Sequence, residues 1–281
     1  MAYLLGQYQT LVLALFATNV EIGNFTVATT LSAAAVSLLT FPLAALFPAF
    51  SKLDHSNEDL GKLFTLSIKY SALLVVPAST VLAVLSKDLI YLVYGPSYEL
   101  APAFLSLYVL TFLYTGFGLA VLGHFFNGVG ETRVVFKSNL INLMVFFPLA
   151  PMLTMLYRVP GLIAALLVSN VFPLLYGLFV ARRRFHARVD VKASTKIYMA
   201  SLVSAIPTLA FLHIFTYGNI IRIIAGGLVF LLTYLTILPV IRGVTTSDLE
   251  NFKLTLSKNR IIWSLLKYLI AYEKMICIRL S

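Results

Sequence analysis

The sequence predicts an all-α fold, a polytopic bundle of membrane-spanning helices. Three observations lead there. The 281 residues are 60% hydrophobic and only 11% charged, where soluble domains carry about 25% charged residues. Many apolar runs reach the roughly 20 residues that a span needs. Those runs are continuous and do not alternate polar with apolar, so they read as helices and not as barrel strands.

Eight spans follow in order, at roughly 3–19, 25–50, 65–86, 102–127, 136–156, 160–181, 197–217 and 220–241. No Lys or Arg precedes the first apolar run, MAYLLGQYQTLVLALFATN, so it reads as a span and not as a cleaved signal peptide. The connections are VEIGN, SKLDHSNEDLGK, YLVYGPSYELAP, GVGETR, YRVP, RRRFHARVDVKASTK and YGN. In the third of these, Gly95-Pro96 makes a turn. Tyr91, Tyr94 and Tyr98 suit the water–lipid boundary there. Pro42, Pro77, Pro148, Pro173 and Pro207 fall inside spans, and each is expected to mark a kink.

The basic residues set the orientation. With the N-terminus in the cytoplasm, 18 of the 21 Lys and Arg residues fall in cytoplasmic segments. Only Lys87, Arg158 and Arg222 fall outside. That asymmetry favours both termini inside a cell membrane. It also accounts for the net charge of +10 without a nucleic-acid partner. The tail, 243–281, reads as an amphipathic helix on the inner leaflet. Ser247 and Glu250 fit a capping box. Arg260, Lys267 and Lys274 recur on one face, and Ile261, Leu265, Leu269 and Ile270 fall on the other. A ninth span is the alternative, and it would place Lys267 and Glu273 at depth.

The chain shows no HExxH, GxSxG or P-loop signature. The one cysteine, Cys277, excludes an internal disulfide and any multi-cysteine metal site. His55 and His186 lie in loops, and His124 and His213 in different spans, so neither a metal centre nor a cofactor is expected. The remaining candidates are polar groups at membrane depth. Lys69 is one, with snorkelling to the inner surface as the alternative. Arg133 and Lys137 sit at the inner end of the fifth span and could equally anchor it. Asn139 and Asn142 share a face of that span, where hydrogen bonding between helices is the competing explanation. His124 and Asn127 lie three apart near the inner end of the fourth span. Asn170, in the sixth, stands alone.

Three stretches, LTFPLAALFPAFSKL (39–53), SKDLIYLVYGPSYELAPAFLSLYVL (86–110) and FFNGVGETRVVFKSNLINLMVFFPL (125–149), recur in a characteristic order. In that order the chain resembles the polysaccharide-transporter branch of the multidrug/oligosaccharidyl-lipid/polysaccharide flippases. Full-length members have two six-helix lobes, often with two further helices. The resemblance therefore implies a C-terminal half: a six-helix lobe at 1–181, a basic cytoplasmic loop at 182–196, two additional spans at 197–242, and the tail. A split gene, a truncated gene model or a decayed copy would each give such a chain.

The resemblance implies a transporter component, not an enzyme, that flips a polyprenyl-linked saccharide by alternating access. Its partners would be that lipid-linked substrate, membrane lipids, and an N-terminal-half subunit or a second copy. Family members line a central cavity with basic residues. On that basis Lys69, Arg133 and Lys137 are the candidates to attract phosphate, and His124, Asn127, Asn139 and Asn142 the candidates to contact sugar. The second span has no Arg or Lys between Phe25 and Phe50, where lipid II flippases carry an arginine. A non-transporting remnant or assembly partner is one competing reading. A polyprenol-dependent glycosyltransferase is another, and its acids could come only from the Asp54, Glu58 and Asp59 cluster. Multidrug extrusion would need a protonatable carboxylate in a span, and none is present.

Overall fold

The computed structural model describes residues 2–40, 46, 50, 51, 57–215 and 218–244. The basic tail helix predicted for 243–281, Pro42 and the acid Asp54 lie outside the described residues, apart from the tail's first two positions. The chain forms two compact units, residues 1–191 and 192–281. Every regular element among the described residues is helical.

The first unit holds α1 (Ala2–Phe16), α2 (Asn19–Thr40), α3 (Asn57–Val84), α4 (Ser86–Val93), α5 (Ala101–Tyr108), α6 (Leu110–Leu113), α7 (Leu119–Gly128) and α8 (Thr132–Phe185). A 3-10 turn, Tyr114–Phe117, joins α6 to α7. Helices α9 (Val191–Ile214) and α10 (Asn219–Val240) complete the described chain. In the second unit the Lys196 ammonium donates to the Arg242 carbonyl at 3.0 Å, and Arg222 donates to the Phe215 carbonyl at 3.0 Å.

Four described helices are long and apolar enough to cross a membrane: α3, α8, α9 and α10. The bent run Ala101–Gly128 would be a fifth. Among the described residues the predicted count of eight is not confirmed, with the two arms of α8 counted here as one helix. At 15 residues, α1 extends about 22 Å, short of the roughly 30 Å hydrocarbon core. Helix α2 opens with Asn19, Glu21 and Asn24 and is rich in threonine. Helix α8 runs through 54 residues but is broken at Arg158, whose backbone is left-handed (φ 52°). Its two arms fold back on each other at the predicted YRVP connection. The return is tight: a Cβ on Gly161 would overlap the Leu153 carbonyl oxygen.

The predicted proline kinks are not where the chain breaks. Helices α3, α8 and α9 continue through Pro77, Pro148, Pro173 and Pro207. The sharp bend in the fourth predicted span is at Gly118 (φ 103°), where the two halves meet at 48°. A proline costs one helical hydrogen bond, which neighbouring groups can replace. One such replacement is visible. Pro151 has no N–H to offer the Phe147 carbonyl, and the Tyr8 hydroxyl of α1 donates to that oxygen at 2.6 Å. A left-handed residue, by contrast, redirects the helix path, and a Cβ at Gly118 would lie 2.7 Å from Ile68 Cδ1.

The connections of the first unit gather at two ends. At one end Thr18 and Glu21 form a capping box at the start of α2. The Glu21 carboxylate accepts from the Thr18 N–H (2.8 Å) and hydroxyl (2.9 Å). It also pairs with Arg158 at 3.2 Å. Three residues on, Asn24 is buried and its Oδ1 accepts the N–H groups of Leu100 (3.1 Å) and Ala101 (2.9 Å). The YGPSY segment thus docks on α2, with Gly95 left-handed (φ 88°) at the turn. At the opposite end Arg184 pairs with Glu131 at 3.0 Å, and the Thr65 hydroxyl donates to the Arg188 carbonyl at 2.8 Å. The core divides the same way. One apolar cluster contains Phe25, Phe104, Phe146 and Val159, and the other Phe64, Phe125, Phe126 and Ala187.

The Glu21 site makes a pH prediction. Burial alone would raise its carboxyl. The hydrogen bonds from Thr18 and the Arg158 guanidinium outweigh that and hold it below the ordinary range. A depressed carboxylate stabilises the fold fully above the unfolded-state value, near pH 4.3, and the contribution fades as pH falls through the folded value. Thermal melts in detergent should therefore show a decline that begins below about pH 4.3. Glu21→Gln should flatten that portion of the curve and leave the neutral-pH slope unchanged.

Candidate functional site

A cavity of about 270 Å³ opens within the first unit. Its walls follow from helical periodicity. Leu119, Leu122, Gly123 and Phe126 line one face of α7; Val135, Ser138, Asn139 and Asn142 line one face of the first arm of α8. Asn170 and Pro173 come from the second arm, and Leu5 from α1. The break at Gly118 aims α7 across the α8 hairpin. Tyr114, beside the break, donates its hydroxyl to the Leu167 carbonyl at 2.9 Å, which ties the bend to the second arm.

The polar wall is amide chemistry. Asn142 Nδ2 donates to Asn170 Oδ1 at 3.0 Å. That single bond leaves each amide further donor or acceptor capacity. Asn139 is exposed one turn away on the same face. Neutral amides that both donate and accept suit hydroxyl-rich or amide-bearing groups such as sugars. The facing wall, Leu119, Leu122 and Phe126, is apolar.

Of the residues singled out from sequence, the structure brings Asn139 and Asn142 into this cavity. His124 is half-buried on α7 and Asn127 exposed near its end, and neither lines the cavity. Arg133 and Lys137 are exposed on the first turns of α8. Lys69 is half-buried on α3, away from the lining. Asn170 does not stand alone: it closes the amide pair. A signal for this exists in the sequence. In a helical hairpin, residues equidistant from the turn face each other, and Asn142 and Asn170 are equally far from residue 156, beside the break at Arg158. Seeing it requires knowing that the hairpin is tight.

Fold and cavity together define a class: an all-helical, multi-pass membrane protein whose first unit encloses an amide-walled cavity. The comparisons with known proteins place that class more narrowly. Residues 1–103 match the family described as "Polysaccharide biosynthesis protein". Among solved structures the chain is similar to a lipid II flippase, MurJ, in an inward closed conformation, with a TM-score of 0.70 and 17% identity. That match covers 83% of this chain and 49% of the other, so the chain spans about half the length of the flippase it resembles. No curated protein matches the sequence. Together these findings accord with the resemblance that the motif order implied: the first 103 residues match that family and the fold is shared with half of the flippase.

Proposed function

We propose that the chain is one lobe of a flippase that carries a polyprenyl-linked oligosaccharide or polysaccharide precursor across the cytoplasmic membrane. The observation that carries this reading is the amide-walled cavity, set in a fold shared with half of a known flippase. Alternating access requires two bodies that rock about a central site. The second body is a second copy or a separate N-terminal-half subunit. Eight spans with both termini in the cytoplasm, a six-helix lobe at 1–181 and two additional spans at 197–242 complete the proposal. Asn139 and Asn142 hydrogen-bond the saccharide, with Asn170 holding Asn142 in place. Lys69, Arg133 and Lys137 draw the phosphate from the inner side, and His124 and Asn127 contact the saccharide at the cavity's edge.

A two-part experiment tests this. The chain is purified in mild detergent, alone and co-expressed with a candidate six-span partner, and its mass is measured. A homodimer or a 1:1 complex is the expected result, and that assembly should then flip a fluorescent polyprenyl-diphosphate saccharide in proteoliposomes. Asn142→Leu should reduce the rate at least tenfold while the assembly's mass is unchanged. A monomer under both conditions would sink the two-body reading. It would favour a non-transporting remnant, since half a cavity would face lipid.

A further inference from the structure

The second arm of α8 carries an exposed stripe that the cavity does not use. Val168, Phe172, Leu175 and Phe179 recur at helical spacing, and all four are exposed, Leu175 and Phe179 at 59% each. The stripe ends on the same face at Arg182 and Arg183, both exposed. Arg183 lies over the Phe179 ring, 5.8 Å from its centroid, a cation–π contact that orients the guanidinium along the stripe. The next arginine, Arg184, is paired with Glu131. Arg182 and Arg183 have no carboxylate partner among the described residues.

The chain beyond the arginines is held down. Ala187 is buried, the Arg188 carbonyl accepts from Thr65, and a Cβ on Gly61 would sit 3.6 Å from the His186 carbonyl. The arginine pair therefore sits at a fixed helix end and not on a loose loop. From Phe172 to Arg182 the helix rises about 15 Å, the depth of one leaflet of a roughly 30 Å core.

We infer that this stripe is a binding site for an anionic bilayer phospholipid, its phosphate held by Arg182 and Arg183 and an acyl chain laid along Phe179, Leu175 and Phe172. Guanidinium groups on two consecutive exposed residues match the oxygens of a phosphate in a way that ammonium groups do not. The open, flat stripe accommodates a linear chain and offers no walls to a saccharide, which separates it from the cavity. A general excess of positive charge at one end would attract anionic lipid without preferring these two arginines over the others.

Native mass spectrometry of the full chain in detergent, titrated with phosphatidylglycerol and with phosphatidylcholine of the same acyl chains, tests the site. The expected result is one tightly held phosphatidylglycerol, preferred about tenfold over phosphatidylcholine. Arg182→Gln with Arg183→Gln should abolish the preference. The charge-matched control Arg188→Gln with Lys192→Gln, two exposed side chains outside the stripe, should keep it. Arg182→Lys with Arg183→Lys, which keeps charge but loses the planar fork, should bind at an intermediate level, with a melting temperature equal to wild type. Equal binding of the two lipids would overturn the site. So would equal loss in the control pair, or displacement of phosphatidylglycerol by equimolar polyprenyl phosphate.

Discussion

Replacing Gly161 with alanine should be the most damaging single methyl added anywhere in the first unit. The new Cβ would overlap the Leu153 carbonyl oxygen and crowd the Thr154 nitrogen at 3.1 Å. These are backbone atoms on the opposite arm of the α8 hairpin and cannot rotate away. Relief requires separating the arms, which would pull Asn142 from Asn170 and unpack buried Val159, Leu162 and Ile163. Overpacking costs about 1–3 kcal/mol when side chains can shift, and backbone overlap belongs at or above the top of that range. A loss of about 3 kcal/mol corresponds to roughly 6–12 °C in melting temperature for a domain of this size. Gly6→Ala is the control. It meets nothing within 4 Å, so it should be neutral or stabilising by up to about 1 kcal/mol through helix propensity. Melts of both variants in one detergent decide the matter. Equal behaviour would mean that the arms do not approach as closely as described.

Asn24→Leu is the second large effect. Asn24 is 3% exposed, and it serves three backbone groups: its Nδ2 donates to the Val20 carbonyl (2.8 Å) and its Oδ1 accepts from Leu100 and Ala101. Ala101 is fully buried, so its N–H would lose its partner with no water to replace it. An orphaned buried donor costs about 1–3 kcal/mol. The turn 94–101 would also lose its anchor on α2. The expected fall in stability is about 2–3 kcal/mol. Asn24→Asp keeps the acceptor at the N-terminus of α5, where a negative charge is favoured, and should recover more than half of it. Hydrogen exchange at residues 94–101 should quicken in the leucine variant and stay near wild type in the aspartate variant. If leucine and aspartate behave alike, the cap is not what holds the loop.

The pattern of these sites shows what sequence alone could and could not supply. Apolar runs separated by turn residues were enough to establish an all-helical membrane fold, because hydrocarbon leaves a chain few other ways to satisfy its backbone. The break at YRVP and the turn at Gly95 were legible for the same reason: they are local. The span count was harder to confirm. A 15-residue α1 and a polar start to α2 blur the boundary that hydropathy relies on. Proline was a poor guide to where a helix breaks, since the helices continue through Pro77, Pro148, Pro173 and Pro207 and a neighbour such as Tyr8 can repair a lost hydrogen bond. Gly118 was the better one, yet nothing in LYTGFG announces a left-handed residue until Ile68 is packed against it.

The candidate site divides along the same line. The residue types came from sequence: asparagines at depth and basic residues at one end. Only the tertiary structure decided which of them meet. Asn142 found Asn170 because the α8 hairpin places residues equally far from its turn face to face. His124, only three residues before Asn127 and on the same helix as cavity-lining Gly123, was left off the wall. Composition and periodicity are properties of a segment and survive without the fold, whereas proximity between segments depends on turn geometry and close packing that only the folded chain supplies.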